Sequence, residues 1–245
     1  MIKVVETPSV GVVDSCFSKS VAILQKTVVR WRVQRGIKGT VEKKASPEFT
    51  DKLIDLGLKP DRIWWGAMTL FPWKAELLYD EIASNPPKRV LEAGAGTSSA
   101  LFAALAEKFD FEVVSLENDK GTVGYVNHLL EGTGLGDRLT IQLCQFKRMR
   151  YENGERYRWY NAQLDQNKPI DFVMVDGPMG RLVGRNGAIP ALRPYLTPDF
   201  RMYLDDANRE HEKGCIAEWQ RHYPEINADY WVPGSRGFCR ITSTA

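Results

Sequence analysis

The chain has 245 residues, a formal net charge of +2 and 43% hydrophobic residues, enough for one full core with an N-terminal extension, and the small charge gives no global attraction to nucleic acid. No apolar run is long enough to cross a bilayer, and the N-terminus lacks the apolar region of a signal peptide. The four cysteines, Cys16, Cys144, Cys215 and Cys239, are scattered without a Cys-x-x-Cys pair, which argues against structural zinc or a disulfide framework and points to the reducing cytoplasm.

Residues 1–13 read as extended and apolar, an arm or an edge strand. Phe17, Val21, Leu24, Val28 and Trp31 then step by four and three and predict a helix with one apolar stripe. Residues 17–44 carry eight basic side chains against a single acid, Glu42. Such a helix can lie on an anionic membrane surface, or it can dock on the rest of the chain or on a second subunit of a homodimer with its basic faces in water. Ser46-Pro47-Glu48-Phe49 predicts a helix start, and Gly57 and Pro60 its end. The expected division is residues 1–60 as arm and basic helix, and residues 61–245 as the main α/β domain.

Trp64, Trp65, Phe71, Pro72 and Trp73 form an aromatic cluster ahead of a helix through Leu77, Leu78, Ile82 and Ala83, which Asn85-Pro86-Pro87 stops. Strand 89–93 then runs into the stretch Glu92-Ala93-Gly94-Ala95-Gly96-Thr97-Ser98-Ser99 and a helix over 98–109. Gly94 and Gly96 let the backbone bend and bring its amides close to a ligand, and the hydroxyl residues can cap the helix. A dinucleotide pyrophosphate would want a third glycine where Ser99 stands, and Glu92 would repel it but attract an ammonium or sulfonium group. A second strand, 112–117, ends in Glu117, at the spacing where an acid meets a ribose in doubly wound folds. Helix 121–132 and strand 139–143 follow.

The order strand–Glu92–glycine loop–helix–strand–Glu117 resembles the class I S-adenosylmethionine-dependent methyltransferases, over roughly residues 60–243. The resemblance implies a doubly wound, seven-stranded, mostly parallel sheet whose last strand inserts antiparallel. It also implies that Glu92, Gly94 and Gly96, with Thr97 and Ser98, hold the methionine end of S-adenosylmethionine. Glu117 and Asn118 would then take the ribose, and Leu143, Cys144 and Gln145 would lie near the adenine.

Residues 146–160 carry Asn153-Gly154 between two runs of alternating bulky and charged residues, which predicts an inserted β-hairpin. Trp159 and Tyr160 at its exit either reach the site mouth or anchor the ribbon. A buried strand, 170–175, leads into Asp176-Gly177-Pro178, and Arg181 and Arg185 follow in a loop suited to a polar or anionic substrate. Strand 200–204 ends in Asp205-Asp206, the last helix runs from about Ala207 to His222, and two terminal strands flank Gly234-Ser235-Arg236.

Asp176, Asp205 and Asp206 thus fall at the ends of neighbouring strands. This resembles the metal-dependent O-methyltransferases, in which an acid and an Asp-Asn pair bind a divalent cation such as Mg²⁺ that lowers the pKa of a substrate hydroxyl. Here Asp-Asp replaces Asp-Asn. Without a metal, Asp176 or His211 is the candidate general base, or Asp206 caps the last helix. The expected activity is methyl transfer to a small molecule, at oxygen rather than nitrogen. The rivals are an aminopropyl transferase, which Arg181, Arg185 and Arg209 disfavour, and a non-catalytic binding module with a vestigial cofactor site.

Overall fold

The computed structural model describes residues 2–7, 44–66, 69–151, 154–178, 184–231 and 236–243. The basic stripe from Phe17 to Trp31, Cys16, Asn153, Arg181 and the residues 232–235 of the terminal turn lie outside the described residues. In chain order the elements open with β1 (Lys3–Glu6), α1 (Pro47–Asp55) and α2 (Pro72–Ser84), then β2 (Arg89–Ala93), α3 (Thr97–Phe109), β3 (Glu112–Glu117), α4 (Lys120–Leu130) and β4 (Leu139–Leu143). The second half runs β5 (Phe146–Arg150), β6 (Arg156–Tyr160), β7 (Ile170–Val175), α5 (Ala188–Leu192), β8 (Leu196–Asp205), α6 (Glu210–His222), β9 (Ile226–Trp231) and β10 (Phe238–Ser243).

The main sheet has the order β1-β4-β3-β2-β7-β8-β10-β9, and β5 and β6 form a separate two-stranded ribbon. Strands β2, β3, β4, β7 and β8 run parallel, and β10 lies antiparallel between β8 and β9. The expected seven strands become eight. Lys3–Glu6 pairs in parallel with Thr140–Leu143, so the N-terminal arm covers the outer edge of β4.

Side-chain alternation along the strands divides the apolar core in two. Val90, Phe172 and Met174 face one cluster with α1 to α4, while Leu91, Val173 and Val175 face the other with α5, α6 and the ribbon. Helix α3 is buried along ten consecutive residues, Thr97 to Ala106, because it packs on the sheet and between α2 and α4. Its alanines allow that approach. Ile2, Phe49, Leu53, Leu56 and Leu58 belong to the same core as Leu101 and Phe172, so the segment before residue 60 packs into the α/β body. Ser46 caps α1 as expected, its Oγ accepting from the Phe49 N–H at 3.0 Å.

The ribbon stands where a crossover helix between β4 and β7 would otherwise cover the sheet. Trp159 and Tyr160 are buried within it, at 2% exposure each, and Tyr151 donates to the Asn186 carbonyl at 2.9 Å. These aromatics therefore anchor the ribbon, and Tyr160 also reaches the loop after β7 at Gly177. No helix among the described residues is long and apolar enough to cross a membrane.

Candidate active site

The strand order reverses at β2, which lies between β3 and β7. Ligands of open α/β sheets collect beyond the carboxyl ends of the strands at such a switch point. Three loops meet there: Gly94–Ser98 after β2, Glu117–Asn118 after β3 and Asp176–Pro178 after β7.

The two glycines of the first loop do different work. Gly94 has φ +90°, and a Cβ on it would stand 2.6 Å from the Gly177 nitrogen. It is glycine because the β2 and β7 loops touch there, with the Asp176 and Gly177 amides both donating to the Ala93 carbonyl at 2.9 and 2.6 Å. Gly177 is closed in its turn by Tyr160, whose Oη lies 2.5 Å from where a Cβ would be. Gly96 faces open space, since a Cβ there meets nothing within 4 Å. The amides of Thr97 and Ser98 open α3 beside it, and Thr97 Oγ1 lies 3.3 Å from Tyr125 Oη.

Glu92 is placed differently from the expectation that it faces the ligand. It is fully buried, and its Oε2 accepts from Ser99 and Ser115 Oγ at 2.5 Å each. Ser99 Oγ also accepts from the Gly96 N–H at 2.9 Å. The residue that breaks the dinucleotide fingerprint is thus the link between the acid and the loop, and Glu92 acts on the loop through it. Burial pushes the Glu92 carboxyl up to about 7, against the pull of the Ser115, Ser98 and Ser99 hydroxyls. The folded state keeps this proton up to about pH 7, whereas the unfolded chain releases it near 4.5. The resulting stabilisation is full below the unfolded value and is lost as pH rises through the folded one, by about 3 kcal/mol. A Glu92→Gln variant is expected to flatten that fall. Denaturant titrations at about pH 5 and about pH 8 check it, and an unchanged pH slope would refute the assignment.

Glu117 is 6% exposed and sits at the crevice as expected. Its Oε1 accepts the Asn118 and Asp119 amides at 2.6 and 2.8 Å, and Oε2 accepts the Ala95 amide at 3.0 Å. Burial raises its carboxyl to about 7, opposed by those amides. Cys144, expected near the adenine, is fully buried with its thiol on the Gln142 carbonyl at 3.3 Å, and burial pushes it up to about 11. It is a core residue.

Asp176, Asp205 and Asp206 do come together, with ligand atoms all within 4.8 Å of one another. Burial and the neighbouring Asp205 charge raise Asp176, and Arg185 opposes them. Asp206 is raised by the same two causes and takes a left-handed backbone, φ +55°. Arg185, expected to meet an anionic substrate, is itself buried. Its guanidinium reaches Asp176 Oδ1 at 3.1 Å, Asp206 Oδ2 at 3.5 Å and Glu212 Oε1 at 3.9 Å, and it donates to the Asp205 carbonyl at 2.5 Å. His211 lies apart from this cluster, exposed in the first turn of α6 with its ring against Gly184.

Sequence reasoning missed Lys74. Its Nζ pairs with Asp205 Oδ1, and the two side chains are 1% and 3% exposed. One signal was present: Lys74 stands in the first turn of α2, where the helix dipole disfavours a cation, so a compensating acid was to be expected. The oxygen set is right for Mg²⁺ in chemistry, but its charge is already met. Lys74, Arg185, Arg209 and Arg236 face Asp176, Asp205, Asp206 and Glu212. Among the described residues, Asp206 Oδ1 and Glu212 Oε2 stay buried without a hydrogen bond.

No family model and no curated protein matches the chain. Solved structures do. The SAH-bound methyltransferase PaMTH1 of Podospora anserina is 13% identical with a TM-score of 0.53, over 98% of this chain and 100% of that one. The SAM-bound O-methyltransferase TomG of Streptomyces achromogenes is 14% identical with a TM-score of 0.51, over 84% and 93%. The SAH-bound O-methyltransferase of Bacillus cereus is 14% identical with a TM-score of 0.51, over 81% and 92%. At such identities the likeness speaks for the fold alone. The chain has the Rossmann-like fold of class I S-adenosylmethionine-dependent O-methyltransferases.

Proposed function

We propose that the chain transfers the methyl group of S-adenosylmethionine to a hydroxyl of a small molecule. The observation that carries this reading is the convergence, at the switch point, of an open glycine face at Gly96 with the Glu117 carboxylate. The cradle fits the cofactor: Gly96 leaves room for it, the Thr97 and Ser98 amides at the start of a 13-residue helix favour its carboxylate, and Glu117 Oε2 has one lone pair to spare for a ribose hydroxyl. When bound, the cofactor supplies an electrophilic sulfonium methyl. The solved structures with SAH or SAM bound support that identity by fold.

The chain's own part is alignment and proton handling. Asp176 is the member of the acid cluster whose side chain is most open to the crevice, at 24% exposure. Its carboxyl, raised by burial and by Asp205, orients an acceptor hydroxyl and takes its proton. The Gly94–Gly177 contact, closed by Tyr160, forms a dry floor beneath the reacting atoms.

Calorimetric titration with S-adenosylmethionine tests the reading. Wild type is expected to bind in the micromolar range, an affinity of about 8 kcal/mol. Gly96→Ala should keep the wild-type melting temperature and lose about 10-fold or more in affinity, because its methyl group enters the cofactor's space. Gly94→Ala should instead be destabilised by more than about 1 kcal/mol, since φ is positive and the Gly177 backbone is in the way. Absence of binding by folded wild type would overturn the proposal.

A further inference from the structure

We propose that Lys74 is a resident cation that fills the divalent-ion position of the acid cluster, so that this site works without metal. The assignment rests on the methyltransferase reading only in placing the cluster beside the acceptor. Three carboxylates with oxygens within 4.8 Å of one another make an oxygen-rich set that Mg²⁺ or Mn²⁺ would ordinarily take. In this chain an ammonium already sits on Asp205.

Two observations hold it there. Its backbone is set by the first turn of α2, the Lys74 amide donating to the Phe71 carbonyl at 2.9 Å. Its Nζ lies 5.3, 5.4 and 5.6 Å from the ring centroids of Phe71, Trp73 and Phe238, a box of π faces that favours a cation and leaves the side chain no polar alternative. Asp206 is separately held by Arg209 at 2.8 Å, with Arg236 3.8 Å from its other oxygen. A divalent ion would have to displace the ammonium from Asp205 and the guanidinium from Asp176. The Asp206 carboxylate balances the positive charge of Arg209 and Arg236.

Mn²⁺ uptake by the purified full chain, read by electron paramagnetic resonance without cofactor or acceptor, tests the proposal. Wild type is expected to leave the Mn²⁺ signal unchanged. Lys74→Met should take up one Mn²⁺ at least about 100-fold more tightly than wild type, because a positive charge beside the site is gone. Lys74→Met should also melt at a higher temperature with Mn²⁺ than without. Both gains should vanish in Lys74→Met/Asp205→Asn, which separates them from binding at the second acidic cluster, Glu155, Glu218 and His222. Lys74→Gln serves the same purpose if Lys74→Met does not fold. Uptake of one Mn²⁺ by wild type that Asp205→Asn abolishes would overturn the proposal, and so would a folded Lys74 variant that gains none. Neither result bears on S-adenosylmethionine binding, so failure here and failure of the methyltransferase reading are distinguishable.

Discussion

Glu117→Ala is expected to lose about 10- to 100-fold in affinity for S-adenosylmethionine, the worth of one hydrogen bond to a charged acceptor. The geometry behind the number is specific. Glu117 Oε1 is already committed to the Asn118 and Asp119 amides, whereas Oε2 has one donor, Ala95, at 3.0 Å. That oxygen is the one available to a ribose. Glu117→Gln keeps the shape but supplies an amide in place of a carboxylate, so its loss should be smaller, at most about 10-fold. Folding is a separate matter. Alanine strands three amides but removes a carboxyl that burial has already made costly to ionise, so the two effects oppose each other. Circular dichroism at matched conditions confirms the fold, and calorimetry reads the affinity. A folded Glu117→Ala protein that binds as wild type does would remove Glu117 from the cofactor site.

The largest loss of stability is expected at Lys74. Lys74→Ala leaves the Asp205 carboxylate buried without its partner, which costs about 3–5 kcal/mol. For a chain of this size that is a fall of roughly 10 °C in melting temperature. Lys74→Met/Asp205→Leu removes both charges and should recover most of that loss, because the ion pair itself gains little over a packed apolar pair. The pair is enclosed by Phe71, Trp73 and Phe238, so methionine has apolar surfaces to meet. Chemical denaturation of Lys74→Met, Asp205→Leu and the double variant gives the coupling energy directly. Additive losses would show that Lys74 and Asp205 stabilise the fold independently, and the resident-cation assignment would lose its energetic basis.

The parallel strands were legible residue by residue. Arg89–Ala93, Glu112–Glu117 and Leu139–Leu143 run where the expected strands run, because each is a short apolar run closed by a polar or glycine signal. The ribbon over Phe146–Arg150 and Arg156–Tyr160 was legible for the same local reason: bulky and charged residues alternate on either side of a turn. The order of acids and glycines also placed Glu117, Gly96 and Asp176 correctly at one end of the sheet, since residues that follow parallel strands share that end. Boundaries set by tertiary contacts were less legible. The strand read as 200–204 extends over Leu196–Asp205, and the last helix begins at Glu210 after a left-handed turn at Asp206.

What the sequence determined by itself is therefore the fold class, the edge strand as an option, and the set of chemical groups at the crevice. Periodicity and turn chemistry act between near neighbours in the chain, and they need no partner to be read. Only the tertiary structure decided which way each group faces. Glu92 turns inward because Ser115 of the adjacent strand and Ser99 of the following helix meet it in the core. Arg185 is taken from the substrate side by three acids and the Asp205 carbonyl, and Lys74 reaches an aspartate 131 residues away. Such pairings depend on which elements lie side by side and on how far burial raises the cost of a lone charge, and neither quantity exists until the sheet has closed over its two cores.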